Sequence, residues 1–372
     1  MITFGFITLH PSQENKYITE IAKRAEFFNI TVYRFTPTSI DPATENVHGE
    51  VFNCNTKQWE SKVFPLPVYL YDRCFYTNGD EISKRSQPIM SWLKNRPSSI
   101  FIGHGLPNKW NIYKTLKENE TLSAYTPATV KATSVSSIIN KLIKEKRILL
   151  KPESGSQGKG IVGLIVAKGG VEVLTHKDKS RIVKNFSSKN EFSRWLGKLI
   201  SSQFYLCQSL LPLQDGENRP FDIRILLQKN ETGEWIEQGR GVRKGKPDYL
   251  ISNVSAGGEV FKFDLWLKTV PLSKQTLLID GIDTIIRHVP KVVETHFGSL
   301  FELGIDIGLG TDGGVWILDV NSKPGRKVVL QTDINKNEDL YKSPLRYCTY
   351  LEKQASLKGV EINESIISTQ NN

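Results

Sequence analysis

Residues 151–160 read KPESGSQGKG, set between the apolar run ILL and the β-branched run IVGLIVAK. Glycines at this density beside a lysine signal backbone N–H groups that meet a phosphate, and few chain geometries allow that. The Walker A loop requires G-x-x-x-x-G-K-[ST], whereas here the spacing is shorter and Lys159 is followed by Gly160. Gly158, Gly160 and Gly163 do spell G-x-G-x-x-G. That fingerprint works only where a helix opens at the loop and turns its N-terminus to a pyrophosphate, and IVGLIVAK is strand-like. The stretch therefore reads as strand, glycine-rich loop, strand: a hairpin lid over a triphosphate. Lys151 would be a fixed charge on the first strand, and Ser154, Gly155, Ser156, Gln157, Gly158 and Gly160 would supply the loop donors. A surface hairpin with a turn lysine is the other reading of this segment taken alone.

A second constellation lies far downstream. VWILDVNSKPG puts Asp319 and Asn321 at i and i+2 of a strand, on one face. An acid and an amide side by side among apolar residues are unfavourable unless compensated. A hard divalent cation compensates them, and Mg²⁺ also bridges nucleotide phosphates. Asp306, in FELGIDIGLG, precedes the turn GTDGG, so an antiparallel hairpin would carry it to the same cation. PFDIRILL repeats the i, i+2 spacing with Asp222 and Arg224. Arg240, Arg243 and Asn253 follow in GRGVRKGKPDYLISN, and the planar fork of arginine suits phosphate and carboxylate oxygens.

The rest of the chain frames these motifs. At 372 residues it exceeds what one hydrophobic core usually serves, so two or three domains are expected. The first hundred residues alternate strand and helix patterns, with one helix over ENKYITEIAKRAEFFN and another, interrupted by Pro88, over ISKRSQPIMSWLKN. Asp72 and Arg73, ending the strand PVYLYDR, stand where an open α/β sheet binds ligands, or else form a strand-end salt bridge. The net charge of +10 favours anionic partners, but no long basic block suggests a nucleic-acid arm. No apolar run reaches bilayer length, and MITFGFITLHPS reads as a first strand in place of a signal peptide. Four cysteines with no C-x-x-C pair argue against a zinc site or disulfide framework and for a reducing, cytoplasmic compartment. The polar end KGVEINESIISTQNN is expected to fray.

Taken together, these segments resemble the ATP-grasp superfamily. KPESGSQGKGI looks like its lysine and glycine-rich lid, YLCQSLL like its adenine hinge and LDVNSKPG like its metal-binding strand. NKWNIYKTL, FDIRILLQ and SNVSAGGEV are most similar to the YheC/YheD endospore coat-associated branch. The resemblance implies an α/β (α+β ATP-grasp) fold: an N-terminal open α/β domain followed by two α+β lobes clasping ATP. The implied boundaries are 1–108 for the substrate-facing domain, 109–204 for the first lobe with its lid, 205–358 for the second lobe with its metal site, and 359–372 for a polar tail.

The resemblance also assigns roles. Lys109 and Lys151 would contact the ATP phosphates, Gln208, Ser209, Leu210 and Leu211 would flank adenine, and Asp222 would touch the nucleotide. Arg224, Arg243 and Asn253 would face phosphate or the reacting carboxylate, with Arg224, Arg243 and Lys151 the catalytic set. Asp306, Asp319 and Asn321 would hold Mg²⁺, for which Mn²⁺ is an expected substitute. Ser209 stands where many relatives carry a ribose-binding glutamate, and Asp319 where the longer glutamate is commoner. The implied activity is ligation of a small anionic carboxylate donor to an amine acceptor, such as an amino acid or peptide, through an acyl phosphate. A coat module that binds nucleotide without turnover and a small-molecule kinase are the alternatives. A homodimer is an open option, membrane association is not expected, and nucleic acid is disfavoured as a partner. Cytoplasmic synthesis is expected, with coat association implied by the branch.

Overall fold

The computed structural model of the chain describes residues 1–77, 79–155, 158–177, 180–252 and 257–370. Its strands gather into three sheets. The first is built from β1 (Ile2–Ile7), β2 (Ile30–Phe35), β3 (Asn46–Asn53), β4 (Gln58–Pro65), β5 (Tyr69–Asp72) and β6 (Ile100–Phe101), with α1 (Asn15–Ala22) and α2 (Glu81–Lys94) between them. Strand order is β4-β3-β2-β1-β5-β6. The four strands β2, β1, β5 and β6 are parallel, and the β3–β4 hairpin extends one edge antiparallel. Central strands of a parallel sheet are covered on both faces. Accordingly ITFGFI buries Phe4 and Phe6 in one core and Ile7 in another.

Two helix expectations need correction here. The single helix expected over residues 14–29 stops at Ala22; a 3₁₀ turn, Ala25–Phe28, follows and ends on Asn29 in the left-handed region, φ 54°. Pro88, by contrast, does not interrupt α2, which runs unbroken over 14 residues and gains Asp80 as an N-cap that accepts from Ser83 N.

The second sheet contains β7 (Thr129–Lys131), β8 (Arg147–Pro152), β9 (Val162–Ala167), β10 (Gly170–Lys177), β11 (Ser180–Phe186) and β12 (Tyr205–Ser209). Its order is β11-β10-β9-β8-β12-β7, with every pair antiparallel. The sheet packs against α4 (Val135–Glu145) and α5 (Lys189–Ser202), with Ile138, Leu142, Phe192 and Leu196 set against Ile148, Leu150, Leu164 and Cys207. Strand β12 lies beyond the expected boundary at residue 204, yet its hydrogen bonds run to β8 and β7 within this sheet.

The third sheet has the order β15-β14-β13-β16-β17, from β13 (Phe221–Lys229), β14 (Trp235–Lys244), β15 (Glu259–Lys262), β16 (Glu302–Leu309) and β17 (Val315–Asn321). Helix α7 (Leu272–Phe297) lays Ile282, Ile285, Val289 and Val293 on one face, against Ile223, Ile225, Ile305 and Ile307. Helix α6 (Phe263–Leu267) adds Phe263 and Trp266 to the same core. Helix α3 (Lys109–Glu118), placed in the first lobe by the expected boundary at 109, buries Ile112 and Leu116 in this core instead. Its apolar side meets α7, and that packing decides its membership.

Beyond β17 come α8 (Lys327–Thr332) and α9 (Asn337–Gln370). Leu340, Tyr341, Leu345 and Tyr347 of α9 share a core with Phe4 of β1 and Tyr17 and Ile18 of α1, so the two ends of the chain are packed together. The polar segment expected to fray after residue 358 continues α9 as helix to Gln370.

Candidate active site

The period-two alternation of the third sheet delivers one polar face. Facing α7 are isoleucines; on the other side the register places Asp222 (β13) opposite Arg243 (β14), Arg224 (β13) opposite Asp306 (β16), and Asp306 opposite Asp319 (β17). A register shift follows Asp306, and β-bulges commonly re-aim side chains in this way. Asn321, two residues beyond Asp319, donates from Nδ2 to Asp319 Oδ2 at 3.3 Å. Four adjacent strands thus bring together acids and arginines that are up to 97 residues apart in sequence.

The charges are compensated within this row. Arg243 Nε lies 2.6 Å from Asp222 Oδ1, and Arg243 Nη2 lies 3.0 Å from Asp306 Oδ2. Arg224 adds Nη2 to Asp306 Oδ2 at 3.1 Å and Nε at 2.7 Å from Oδ1. That second contact is out of line for a hydrogen bond, so the buried Asp306 Oδ1 accepts none. Burial pushes the Asp306 carboxyl above its ordinary value, more than Arg224 and Arg243 pull it down. The other oxygen of Asp222 accepts from Ser252 Oγ.

Two lysines reach the same hairpin from other elements. Asn108 caps α3 by accepting from Asn111 N at 3.0 Å, which starts the helix at Lys109. From there Lys109 Nζ sits 2.5 Å from Asp319 Oδ2. Lys151, on β8, donates from Nζ to Leu318 O at 3.4 Å. Burial pulls its ammonium down to about 8; Asp319 opposes that shift and Lys109 adds to it. Burial alone would raise Asp319, but Lys109 and Lys151 together with Asn321 outweigh it and hold the carboxyl below its ordinary value.

Lys109, Lys151 and Asp319 form the polar end of a narrow cleft with a cavity volume of about 60 Å³. Its apolar wall comes from Ile112, Tyr113 and Leu116 of α3, Leu206 of β12 and Ile317 and Val320 of β17. Gln208 lines it as well. The neighbouring hinge residues sit at its margin: Ser209 ends β12, Leu210 N donates to Arg147 O at 3.2 Å, and neither they nor Leu211 line the cleft.

Of the glycine-rich stretch, Ser154 and Gly155 follow β8 after Glu153, and Gly155, Gly158 and Gly160 take positive φ of 136°, 72° and 75°. At Gly160 a Cβ would also fall 2.9 Å from Pro152 Cγ, so both conformation and space favour glycine there. Ser156, Gln157 and Asn253 lie outside the described residues.

Asp72 and Arg73 take the salt-bridge alternative. Arg73 is fully buried and pairs with Glu14 and Glu302, and Asp72 pairs with Lys323 and Lys94. They join the N-terminal sheet to the third sheet instead of lining the cleft. Sequence reasoning missed Tyr113, Leu206 and Ser252. Two of these carried a signal: Tyr113 is four residues from Lys109 on one helix face, and Leu206 shares a strand face with Gln208.

The residues fit a hard divalent cation in donor chemistry, since they offer two carboxylates and an amide oxygen, and Asp306 Oδ1 is buried without a hydrogen-bond donor. Among the described residues no three His, Cys, Asp or Glu side chains converge as a metal site. A cation here would therefore depend on phosphate oxygens to complete its shell, the usual habit of Mg²⁺.

Comparison with known proteins concerns the family and the fold. The family model described as YheC/D like ATP-grasp matches residues 99–351. The chain is 40% identical over 365 residues to the endospore coat-associated protein YheC of Bacillus subtilis (strain 168), covering 98% of this chain and 100% of that one. Among solved structures it is similar to the D-cycloserine synthetase DcsG, with TM-score 0.54 at 9% identity and 95% and 99% of the two chains covered. It is also similar to a Chryseobacterium gregarium RiPP-associated ATP-grasp ligase in complex with ADP and a leader and core peptide. There the TM-score is 0.51 at 12% identity, over 95% and 97% of the chains. These two likenesses concern the fold.

Proposed function

The chain belongs to the YheC/D-like ATP-grasp family, and from that membership we propose that it is an ATP-dependent ligase joining a carboxylate to an amine. The observation that carries this reading is the convergence of Lys109, Lys151 and Asp319 at the polar end of one apolar cleft, with Asn321, Asp306, Arg224 and Arg243 continuing from Asp319 along the same face of the third sheet. ATP is the co-substrate, with its base against Leu206, Tyr113 and Ile317 and its phosphates toward Lys109 and Lys151. Asp306, Asp319 and Asn321 are the residues that would hold Mg²⁺, whose contribution when bound is to neutralise charge on the phosphoryl oxygens. The glycine-rich hairpin covers the phosphates and excludes water.

In this reading Arg224 and Arg243 orient the donor carboxylate. One of its oxygens attacks the γ-phosphorus, the bond to ADP breaks, and an acyl phosphate forms. The amine nitrogen then attacks the acyl carbon, and the two guanidinium groups face the oxyanion of the tetrahedral intermediate. The C–O bond to phosphate breaks, the amide remains, and the amine proton leaves to solvent or phosphate. No side-chain nucleophile is needed. The identity to a protein named for the endospore coat supports placing the activity in spore formation.

The test is turnover of ATP with Mg²⁺ over pooled amino acids, small peptides and dicarboxylates, with and without hydroxylamine. The expected products are ADP and a hydroxamate of the donor. ADP with a phosphorylated product and no hydroxamate would reassign the chain as a kinase. Tight nucleotide binding with no ADP from any mixture would leave a binding module.

A further inference from the structure

The carboxylates nominated for a cation are not free in this structure. Asp319 is held by Lys109 at 2.5 Å, with the buried Lys151 ammonium beside it on Leu318 O. Asp306 is held by Arg224 and Arg243 together. Counted among the described residues, the row sets three carboxylates (Asp222, Asp306, Asp319) against four cationic groups (Lys109, Lys151, Arg224, Arg243). A free divalent cation approaching Asp319 would have to displace one ammonium and then sit next to a second. A triphosphate approaching the same place meets an excess of positive charge and gives Lys109 a new anionic partner. Lys109 is well placed for that exchange, because it lies at the first turn of α3 on a partly exposed, flexible arm.

We propose that Lys109 acts as an internal stand-in for the cation at Asp319, so that the cleft admits a divalent metal only together with the nucleotide that draws this ammonium away. This rests on the nucleotide-site reading above and deepens it to an order of binding. By linkage the coupling is reciprocal: nucleotide raises metal affinity and metal raises nucleotide affinity by the same factor, about 10–100-fold for a coupling of ordinary size.

The probe is Mn²⁺, followed by loss of its free paramagnetic resonance signal. It is titrated into the full chain alone and with the non-hydrolysable analogue adenylyl imidodiphosphate, with the solution affinity of Mn²⁺ for the analogue measured separately. Wild type is expected to bind Mn²⁺ alone about 10–100-fold more weakly than with the analogue. Lys109→Met is expected to tighten binding of Mn²⁺ alone several-fold, to weaken the analogue and to shrink the ratio. Asp319→Asn, which keeps the side-chain shape, should lose the tight site in both conditions. Equal Mn²⁺ affinity with and without the analogue in wild type would overturn the proposal, as would unchanged Mn²⁺ binding in a folded Lys109→Met chain. If that variant does not fold, the reciprocal measurement decides: analogue affinity of the wild type in chelator against that in Mn²⁺, equal values overturning it. Failure of the analogue to bind under any condition would instead remove the nucleotide-site reading and this inference with it.

Discussion

Gly304 owes its place on β16 to Arg224. An added Cβ would fall 2.6 Å from Arg224 Nη1 and 2.6 Å from Pro324 Cβ, so the guanidinium can lie over the strand beside Asp306 only because that position has no side chain. Gly304→Ala should therefore push the arginine off Asp306. Overpacking of this kind costs about 1–3 kcal/mol in stability. Displacing a catalytic group by about 1 Å lowers turnover by roughly 10²-fold. ADP release and thermal unfolding measured on the same preparation check this, and full turnover in the variant would count against a role for Arg224. At this scale much was legible. Asp319 and Asn321, and likewise Asp222 and Arg224, are read from an i, i+2 spacing on strands whose alternate residues are apolar. The role of Gly304 was not, because it depends on a neighbouring strand's side chain.

The elements were readable where a single period governs a run, and less so where partners decide. FDIRILLQK, ELGIDIGL and VWILDVN were all expected as strands and are strands, β13, β16 and β17. Membership was harder: α3 joins the third sheet's core and β12 the second sheet, since those choices rest on contacts with distant segments. The β8–β9 hairpin shows the same dependence. Gly163 on β9 lies under Leu250 of the loop after β14, with a Cβ position 2.9 Å from Leu250 Cδ2, and the Tyr249 ring of that loop lies tilted, 4.3 Å from the His176 ring on β10. The hairpin and that loop thus touch each other. Gly163→Val should hold the two apart and weaken nucleotide affinity by about 10-fold or more, a loss of roughly 1.4 kcal/mol, with little change in the unfolding temperature. Calorimetric binding of ATP checks it, and unchanged affinity would show that this contact does not contribute to closure.

At the scale of the whole molecule, a buried ionic cluster joins the N-terminal sheet to the third sheet beside their shared apolar core. Arg73 pairs with Glu14 and Glu302. Arg326 donates to Glu14 at 3.1 Å, to Glu302 at 3.0 Å and to Tyr71 Oη at 2.8 Å. Arg73 and Glu302 are both essentially inaccessible, with 0% and 1% of their side chains exposed, so removing one strands the other's charge. Arg73→Met is expected to cost about 3–5 kcal/mol in denaturant unfolding, whereas a loss under 1 kcal/mol would mean that the cluster does not tie the two parts. Burial alone would raise the Glu14 carboxyl, but Arg326 and Arg73 outweigh it and hold it at about 2. Its folded value is thus depressed, so its contribution is present above the ordinary value of 4.5 and is lost as pH falls from there toward about 2. Glu14→Gln should flatten the acid limb of the stability profile in that window. Of this cluster only Arg73 in a strand-end salt bridge was legible; its partners were not, since Arg73 and Glu302 lie 229 residues apart.

The central claim concerns the cleft, and a crystal structure of the full chain with Mg²⁺ and adenylyl imidodiphosphate tests it most directly. The account predicts phosphates against Lys109 and Lys151, a cation held by Asp306, Asp319 and Asn321, and the Lys109–Asp319 pair opened. A nucleotide bound elsewhere, or one in the cleft with that pair intact and no cation on the hairpin, would contradict it.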